Sequence, residues 1–188
     1  MAAIGIKTTT DYLNWNTCID ISKELLKSTN RTKKRIGLYI LTQMYTGLRY
    51  LDTIKLTRKD LLKSEIWIKE QKTGKEKKLA IHPDLRTIIE KHTNKDNEQL
   101  FLSNKGTLIS SPFISIKLKE YLQPEFKDKQ ISTHSLRKTF GRRFFEMNGR
   151  SDNALIHLQM IFNHATSKQT RDYLGITFDE IKAMQFNM

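Results

Sequence analysis

The run His134-Ser135-Leu136-Arg137-Lys138-Thr139-Phe140 sets the architecture of this 188-residue chain. His134 and Arg137 stand three apart, so a helix would present both on one face. Leu136, Phe140 and Phe144 supply the apolar side that roots such a helix. Ser132 or Thr133 suits its N-cap, which puts both polar residues in the first turn, where unpaired amides favour an anion. A His-x-x-Arg pair alone is common in capped surface helices. Its meaning comes from what lies on either side.

Upstream, Thr46-Gly47-Leu48-Arg49 sets an arginine just after a helix-breaking glycine, at an element end from which a side chain can reach out. Taken alone, Arg49 and Asp52 make a surface pair worth about a few tenths of a kcal/mol. Downstream, Asn163-His164 is followed nine positions later by Tyr173. Asparagine adopts the left-handed conformation better than most residues, so a turn fits there. Tyr173 follows the polar stretch Lys168-Gln169-Thr170-Arg171-Asp172, as a nucleophile that must meet solvent and a polyanion should. Of the six tyrosines, Tyr12, Tyr39 and Tyr45 sit in or beside apolar stripes, while chemistry alone leaves Tyr50 and Tyr121 open. Two guanidiniums can clamp a phosphodiester and offset charge growing on its oxygens. A tyrosine hydroxyl can attack phosphorus, and histidines can donate hydrogen bonds or move protons. A tyrosine with a pKa of about 10 needs nearby positive charge or a base to react at neutral pH. Nothing in this set requires a metal.

Together these segments resemble the catalytic domain of the tyrosine recombinase, or phage integrase, family, from about Tyr12 to the C-terminus. Thr46-Gly47-Leu48-Arg49 with an acid three residues on looks like the family's first arginine segment, which makes Asp52 the supporting acid. The run from His134 to Phe140 looks like the second, although Lys138 stands where histidine is frequent. Phe162-Asn163 replaces the usual Leu-Gly before His164. Gln71-Lys72-Thr73-Gly74 resembles the lysine-bearing turn and selects Lys72 over its neighbours, with Lys75 the runner-up. The resemblance implies that Arg49, Arg137 and His164 bind a DNA phosphate and that Tyr173 forms a 3′-phosphotyrosyl link. It further implies that Lys72 protonates the leaving oxygen and His134 handles the tyrosine proton. No cofactor, metal or ATP is implied; the partners are double-stranded DNA and, on that DNA, a homotetramer, with a monomer in its absence.

Composition agrees. Thirty-three Lys and Arg against twenty Asp and Glu leave a charge of +13, with a pI of 9.8. Such an excess suits a polyanion partner, because each neutralised phosphate releases a counterion. Candidate DNA contacts are Lys69, Lys75, Lys77 and Lys78 on a basic hairpin, Arg31, Lys33 and Lys34 at a helix start, and Lys138. The single cysteine, Cys18, excludes an internal disulfide and reads as a small core residue. No apolar run reaches membrane-spanning length and no signal-peptide pattern opens the chain, which points to a soluble, intracellular protein; with the resemblance, the expected place is the cytoplasm, nucleoid-associated, or the interior of a host cell.

Hydrophobic periodicity predicts a mainly α domain with a small antiparallel β-sheet. Helices are expected at residues 11–28, from a basic loop at 31–35 through Met44, around Leu51 and Ile54, and at 84–92, 112–122, 135–148, 153–162 and 168–174. A hairpin is expected to pair 65–69 with 77–81 across a turn at Thr73-Gly74, with a third strand at Leu61-Leu62 or Leu100-Phe101-Leu102. Thr177-Phe178-Asp179-Glu180 is a capping-box pattern that predicts an amphipathic tail helix over 177–188. Only 48 residues precede Arg49, and they read as this domain's own first helices. The resemblance usually includes a separate N-terminal DNA-binding domain, so the chain reads as a catalytic fragment or a compact single-domain member.

Three rival functions carry tests. A type IB topoisomerase would relax supercoils without strand exchange. A DNA-binding regulator on the same fold would form no covalent adduct. A metal-dependent nuclease would be sensitive to EDTA, but Asp52, Asp60 and Glu65 show no ligand spacing.

Overall fold

A computed structural model describes residues 10–94, 99–177, 180 and 186. The first helix, α1 (Trp15–Lys27), starts where the Asn14 side chain accepts from the Thr17 amide, and it buries Cys18, Ile19, Ser22, Leu25 and Leu26. These pack on α2 (Arg31–Thr46), which is enclosed almost all round from Arg35 onward, beyond the single inward face expected. Gly47 ends α2 at φ 62°. A Cβ there would also lie 2.3 Å from the ring of Phe140, so conformation and space both require glycine.

Two short helices follow, α3 (Tyr50–Thr53) and α4 (Arg58–Leu62). The hairpin pairs β1 (Glu65–Lys69) with β2 (Glu76–Ala80) in antiparallel register, Glu65 opposite Ala80 and Lys69 opposite Glu76. The expected third strand is absent among the described residues. Leu61 and Leu62 lie instead in α4, because Thr57 and Asp60 form a reciprocal capping box that starts a helix there. Leu102 makes only an isolated bridge to Leu108.

The remainder is helical: α5 (Pro83–His92), α6 (Ser111–Leu122), α7 (Thr133–Met147), α8 (Asp152–Phe162) and α9 (Ser167–Leu174). Most of the expected tail helix lies outside the described residues. At its start the Glu180 amide donates to Thr177 Oγ1 at 3.3 Å, and the Glu180 carboxylate pairs with Arg142 at 2.7 Å. Among the described residues no helix is long and apolar enough to cross a membrane.

Buried side chains form two clusters. The larger runs through α1 to α6, the hairpin and the start of α7, with Tyr39, Leu41, Phe101 and Leu136 fully enclosed. The smaller comprises Phe145, Ala154, Leu155, Leu158, Phe162 and Leu174, packed between α7, α8 and α9. Arg49, Arg137, His164 and Tyr173 gather where these clusters meet, around Phe162.

Candidate active site

Gly47 turns the chain out of α2 so that Arg49, the N-cap of α3, points back across the molecule. Its Nη2 donates to the Phe162 carbonyl at 3.1 Å. Arg137, in the first turns of α7, donates to the same carbonyl at 3.0 Å and to the Gly47 carbonyl at 2.6 Å. One backbone oxygen at the end of α8 therefore gathers both guanidiniums. Arg137 also lies over the Phe162 ring, 4.2 Å from its centroid, and is almost fully buried. Burial pulls its pKa down to about 10, with the Arg49 charge adding to that. It stays cationic at neutral pH.

Asn163 ends α8 in the left-handed region at φ 54° and ψ 50°, as its sequence predicts. This turn brings His164 back beside the arginines. Loss of hydration and then the charges of Arg137 and Arg49 push the His164 pKa to about 4, so the ring is neutral near pH 7. Its Nδ1 lies 3.0 Å from Thr170 Oγ1 on α9. His134 keeps solvent contact on the first turn of α7. Partial loss of hydration, then Arg137, Lys72 and Arg49, lower its pKa as well.

Tyr173 packs edge-on against Phe162 and His164, with ring centroids 5.4 and 5.3 Å away. The ring is half-buried, and the hydroxyl oxygen is enclosed with no well-aligned hydrogen-bond partner. Burial raises its pKa, while Arg137 and Arg49 oppose that rise. In this geometry the hydroxyl must emerge before it can meet any large substrate. Tyr50 is held otherwise, since its hydroxyl donates to the Ile109 carbonyl.

Lys72 sits exposed on the tip of the hairpin. Its charge is among those that lower the His134 pKa. Asp52 is buried and its Oδ1 accepts from the Gln71 amide at 2.9 Å, so it fixes the backbone next to Lys72. The basic residues separate into kinds. Lys69 is exposed, Lys75 reaches Asn163 Oδ1 at 3.3 Å, and Lys78 pairs with Glu65 at 2.7 Å on the outer face. Lys77 points inward instead of into solvent, donating to the Ile161 carbonyl at 2.7 Å and pairing with Glu70 at 2.9 Å. Lys138 is likewise buried; it donates to the Thr10 carbonyl at 2.7 Å and lies over the Tyr173 ring. Neither ammonium is presented to solvent as the sequence suggested. Arg31, Lys33 and Lys34 stand at the opposite end of α2 from Gly47, about 20 Å away at a helical rise of about 1.5 Å per residue.

Sequence reasoning missed Glu70. Only 1% exposed, it meets Arg49 Nη1 at 2.9 Å, Lys77 at 2.9 Å, Thr73 Oγ1 at 2.8 Å and Asn163 Nδ2 at 3.0 Å. Against the opposing effect of burial, Asn163, Lys77 and Thr73 hold its pKa down at about 2. The Arg49 contact is an ion pair more than an aligned hydrogen bond. A signal existed, because Lys77 shares its strand face with buried Leu79 and an inward lysine needs an acid.

Comparison with known proteins places the arrangement in context. The phage integrase family matches residues 19–180. A probable integrase/recombinase of Bacillus subtilis (strain 168), YoeC, is 31% identical over 157 residues, which is 82% of this chain and 84% of that protein. The tyrosine recombinase XerC of Salmonella typhi is 28% identical over 154 residues; the match takes 77% of this chain but only 50% of XerC. The integrase of the Tn1549 transposon, solved in complex with a circular intermediate DNA, superposes with a TM-score of 0.68 at 17% identity. That alignment covers all of this chain and 68% of the integrase.

Proposed function

Because the chain belongs to the phage integrase family of tyrosine recombinases, we propose that it cleaves and rejoins DNA at specific sites through a 3′-phosphotyrosyl intermediate, without metal or ATP. One observation carries this reading: a single carbonyl, that of Phe162, gathers Arg49 and Arg137, while Tyr173 packs on the ring of the same residue. Two cations and a phenol thus converge on one residue at the end of α8, and these are the groups that attack on a phosphodiester needs.

Arg49 and Arg137 bind the non-bridging oxygens of the scissile phosphate, and His164 adds a hydrogen bond. The Tyr173 oxygen attacks phosphorus, its proton passing to neutral His134. The bond from phosphorus to the 5′ oxygen breaks, and the Lys72 ammonium protonates the departing oxygen. Attack by a second strand's 5′-hydroxyl reverses the step, so the bond energy is kept in the phosphotyrosyl ester. Strand exchange of this kind brings four copies together on two duplexes. Asp52 supports the site through the Gln71 amide. Exposed Lys69, Lys75 and Lys78 meet backbone phosphates, as do Arg31, Lys33 and Lys34 on more distant DNA; Lys77 and Lys138 serve from within.

A nicked suicide duplex tests the reading, because loss of a short strand after cleavage traps the adduct. On a denaturing gel the wild type gives a protein-linked DNA band and Tyr173→Phe gives none. An equal band from Tyr173→Phe would overturn the assignment of the nucleophile. Relaxation of plasmid DNA with no exchange between two duplexes would favour a topoisomerase.

A further inference from the structure

Glu70 has more partners than charge balance requires, and they come from three separate places. Arg49 belongs to the turn after α2, Asn163 to the turn after α8, and Thr73 and Lys77 to the hairpin itself. Its own backbone also closes the hairpin tip, since the Glu70 amide donates to Lys75 O at 2.9 Å and the Gly74 amide to Glu70 O at 2.8 Å. Asp52 fixes the Gln71 amide next door. Lys72 therefore sits between two anchored neighbours, Gln71 held by Asp52 and Thr73 held by Glu70.

We infer that Glu70 is the positioning residue that holds the hairpin lysine, Lys72, over the departing 5′ oxygen. The inference rests on the proposed role of Lys72 as general acid. The carboxylate bonds Thr73 and Asn163 at once, and Thr73 Oγ1 lies a further 3.1 Å from Asn163 Nδ2, so the tip is sewn to the turn that carries His164. Without the carboxylate, the direct side-chain links from the tip to Asn163 reduce to Thr73 and the longer Lys75 contact at 3.3 Å. A long lysine on a loosened tip spends less time within proton-transfer distance of one oxygen. The rival role for the same carboxylate is to orient Arg49, which acts on the phosphate and not on the leaving group.

Leaving-group chemistry separates the two roles. In the ordinary reaction the Tyr173 oxygen bonds to phosphorus, the P–O5′ bond breaks, and O5′ takes a proton from the Lys72 ammonium. When sulfur replaces O5′, the P–S bond breaks and a thiolate departs without needing that proton. Single-turnover cleavage of both substrates is measured for wild type, Lys72→Ala, Glu70→Gln and Thr73→Val, with a melting curve for each. General acids contribute about 100- to 10,000-fold. Lys72→Ala should fall by at least about 100-fold on the oxygen substrate and return to within about threefold of wild type on the sulfur substrate. Glu70→Gln should lose about 10- to 100-fold on oxygen and be rescued in the same way. Thr73→Val keeps the buried charge, and should show a smaller loss, about three- to tenfold, with the same rescue.

Equal losses of Glu70→Gln on both substrates would overturn the inference, as would no loss at all. If Glu70→Gln does not fold, Thr73→Val decides by the same criterion. Rescue of Lys72→Ala without rescue of the other two defeats the Glu70 inference alone. Failure to rescue Lys72→Ala removes the acid assignment on which it rests.

Discussion

The two guanidiniums and the phenol are held on unequal terms. Arg49 follows Leu48 and Arg137 follows Leu136, both fully buried in the large cluster that runs from α1 to the start of α7. Tyr173 and His164 depend on the small one, six buried side chains among the described residues. Burying a large apolar side chain contributes about 1.5–3 kcal/mol, so the small cluster alone has little reserve against local opening. The two arginines are rooted beside the large cluster and meet the small one at Phe162, whereas Tyr173 and His164 rest on the small cluster alone, so local opening is expected to reach the nucleophile first. The Tyr173 hydroxyl is enclosed, so a shift of α9 or of the side chains around it is expected to precede its release.

The largest effect should come from the arginines. Arg137→Lys keeps the charge but cannot satisfy both the Gly47 and Phe162 carbonyls while presenting a planar fork. Single-turnover adduct formation should fall by about 100- to 1,000-fold, with the melting temperature lowered only modestly. A loss under about tenfold would break the claim that a fixed clamp supplies most of the charge stabilisation.

Next comes a matched pair of cavities. Leu158→Ala in the small cluster and Leu41→Ala in the large one remove fully buried side chains of one type, each costing about 2–5 kcal/mol. Hydrogen exchange should separate them. Leu158→Ala should speed exchange in α8 and α9 while α2 keeps its protection; Leu41→Ala should weaken the whole domain together. Uniform loss of protection in both variants would show that the two clusters open as one unit.

How much of this was legible follows the same division. The helices α2 and α7 and the stop at Gly47 announce themselves by periodicity and by glycine, and Asn163 announces its left-handed turn. α4 was missed although Thr57 and Asp60 carry its cap, because five residues show too little periodicity to outweigh an apolar pair that resembles a strand. Glu70 was missed because it falls one residue beyond β1, where strand alternation stops predicting which way a side chain points. Gly141 gave no signal. Its role appears only when α9 and the end of α8 are folded against it, where a Cβ would come within 2.5 Å of Leu174 and 2.9 Å of Phe162. Local signals fix elements; contacts between distant segments fix the site.

Gly141 gives the third test. Gly141→Ala should raise intrinsic helix propensity yet push α9 away, costing about 1–3 kcal/mol through overpacking. The substitution touches no group proposed to meet DNA. A faster release of the Tyr173 hydroxyl would raise the initial rate of adduct formation even as stability falls. A lower rate, together with lower stability, would mean that the packed position of α9 is already the productive one.

The smallest effect is a titration, and it distinguishes the halves by pH. His164 has a pKa of about 4 in the fold against an ordinary 6.5, so between those values the unfolded chain binds a proton that the folded chain refuses. Stability from this group is complete above about pH 6.5 and declines as pH falls toward about 4. Glu70, held at about 2 against an ordinary 4.5, keeps its contribution until pH drops below about 4.5 and loses it on the way to 2. Acidification should therefore loosen the His164 side first, with α9 amides losing exchange protection between about pH 6.5 and 4 while the hairpin holds. His164→Gln should narrow the upper window, to which His134 also contributes, and leave the lower; Glu70→Gln should remove the lower and leave the upper. If hairpin and α9 loosen together in one window in the wild type, the seam between the clusters is tighter than the division of buried side chains implies, and the nucleophile is not independently released.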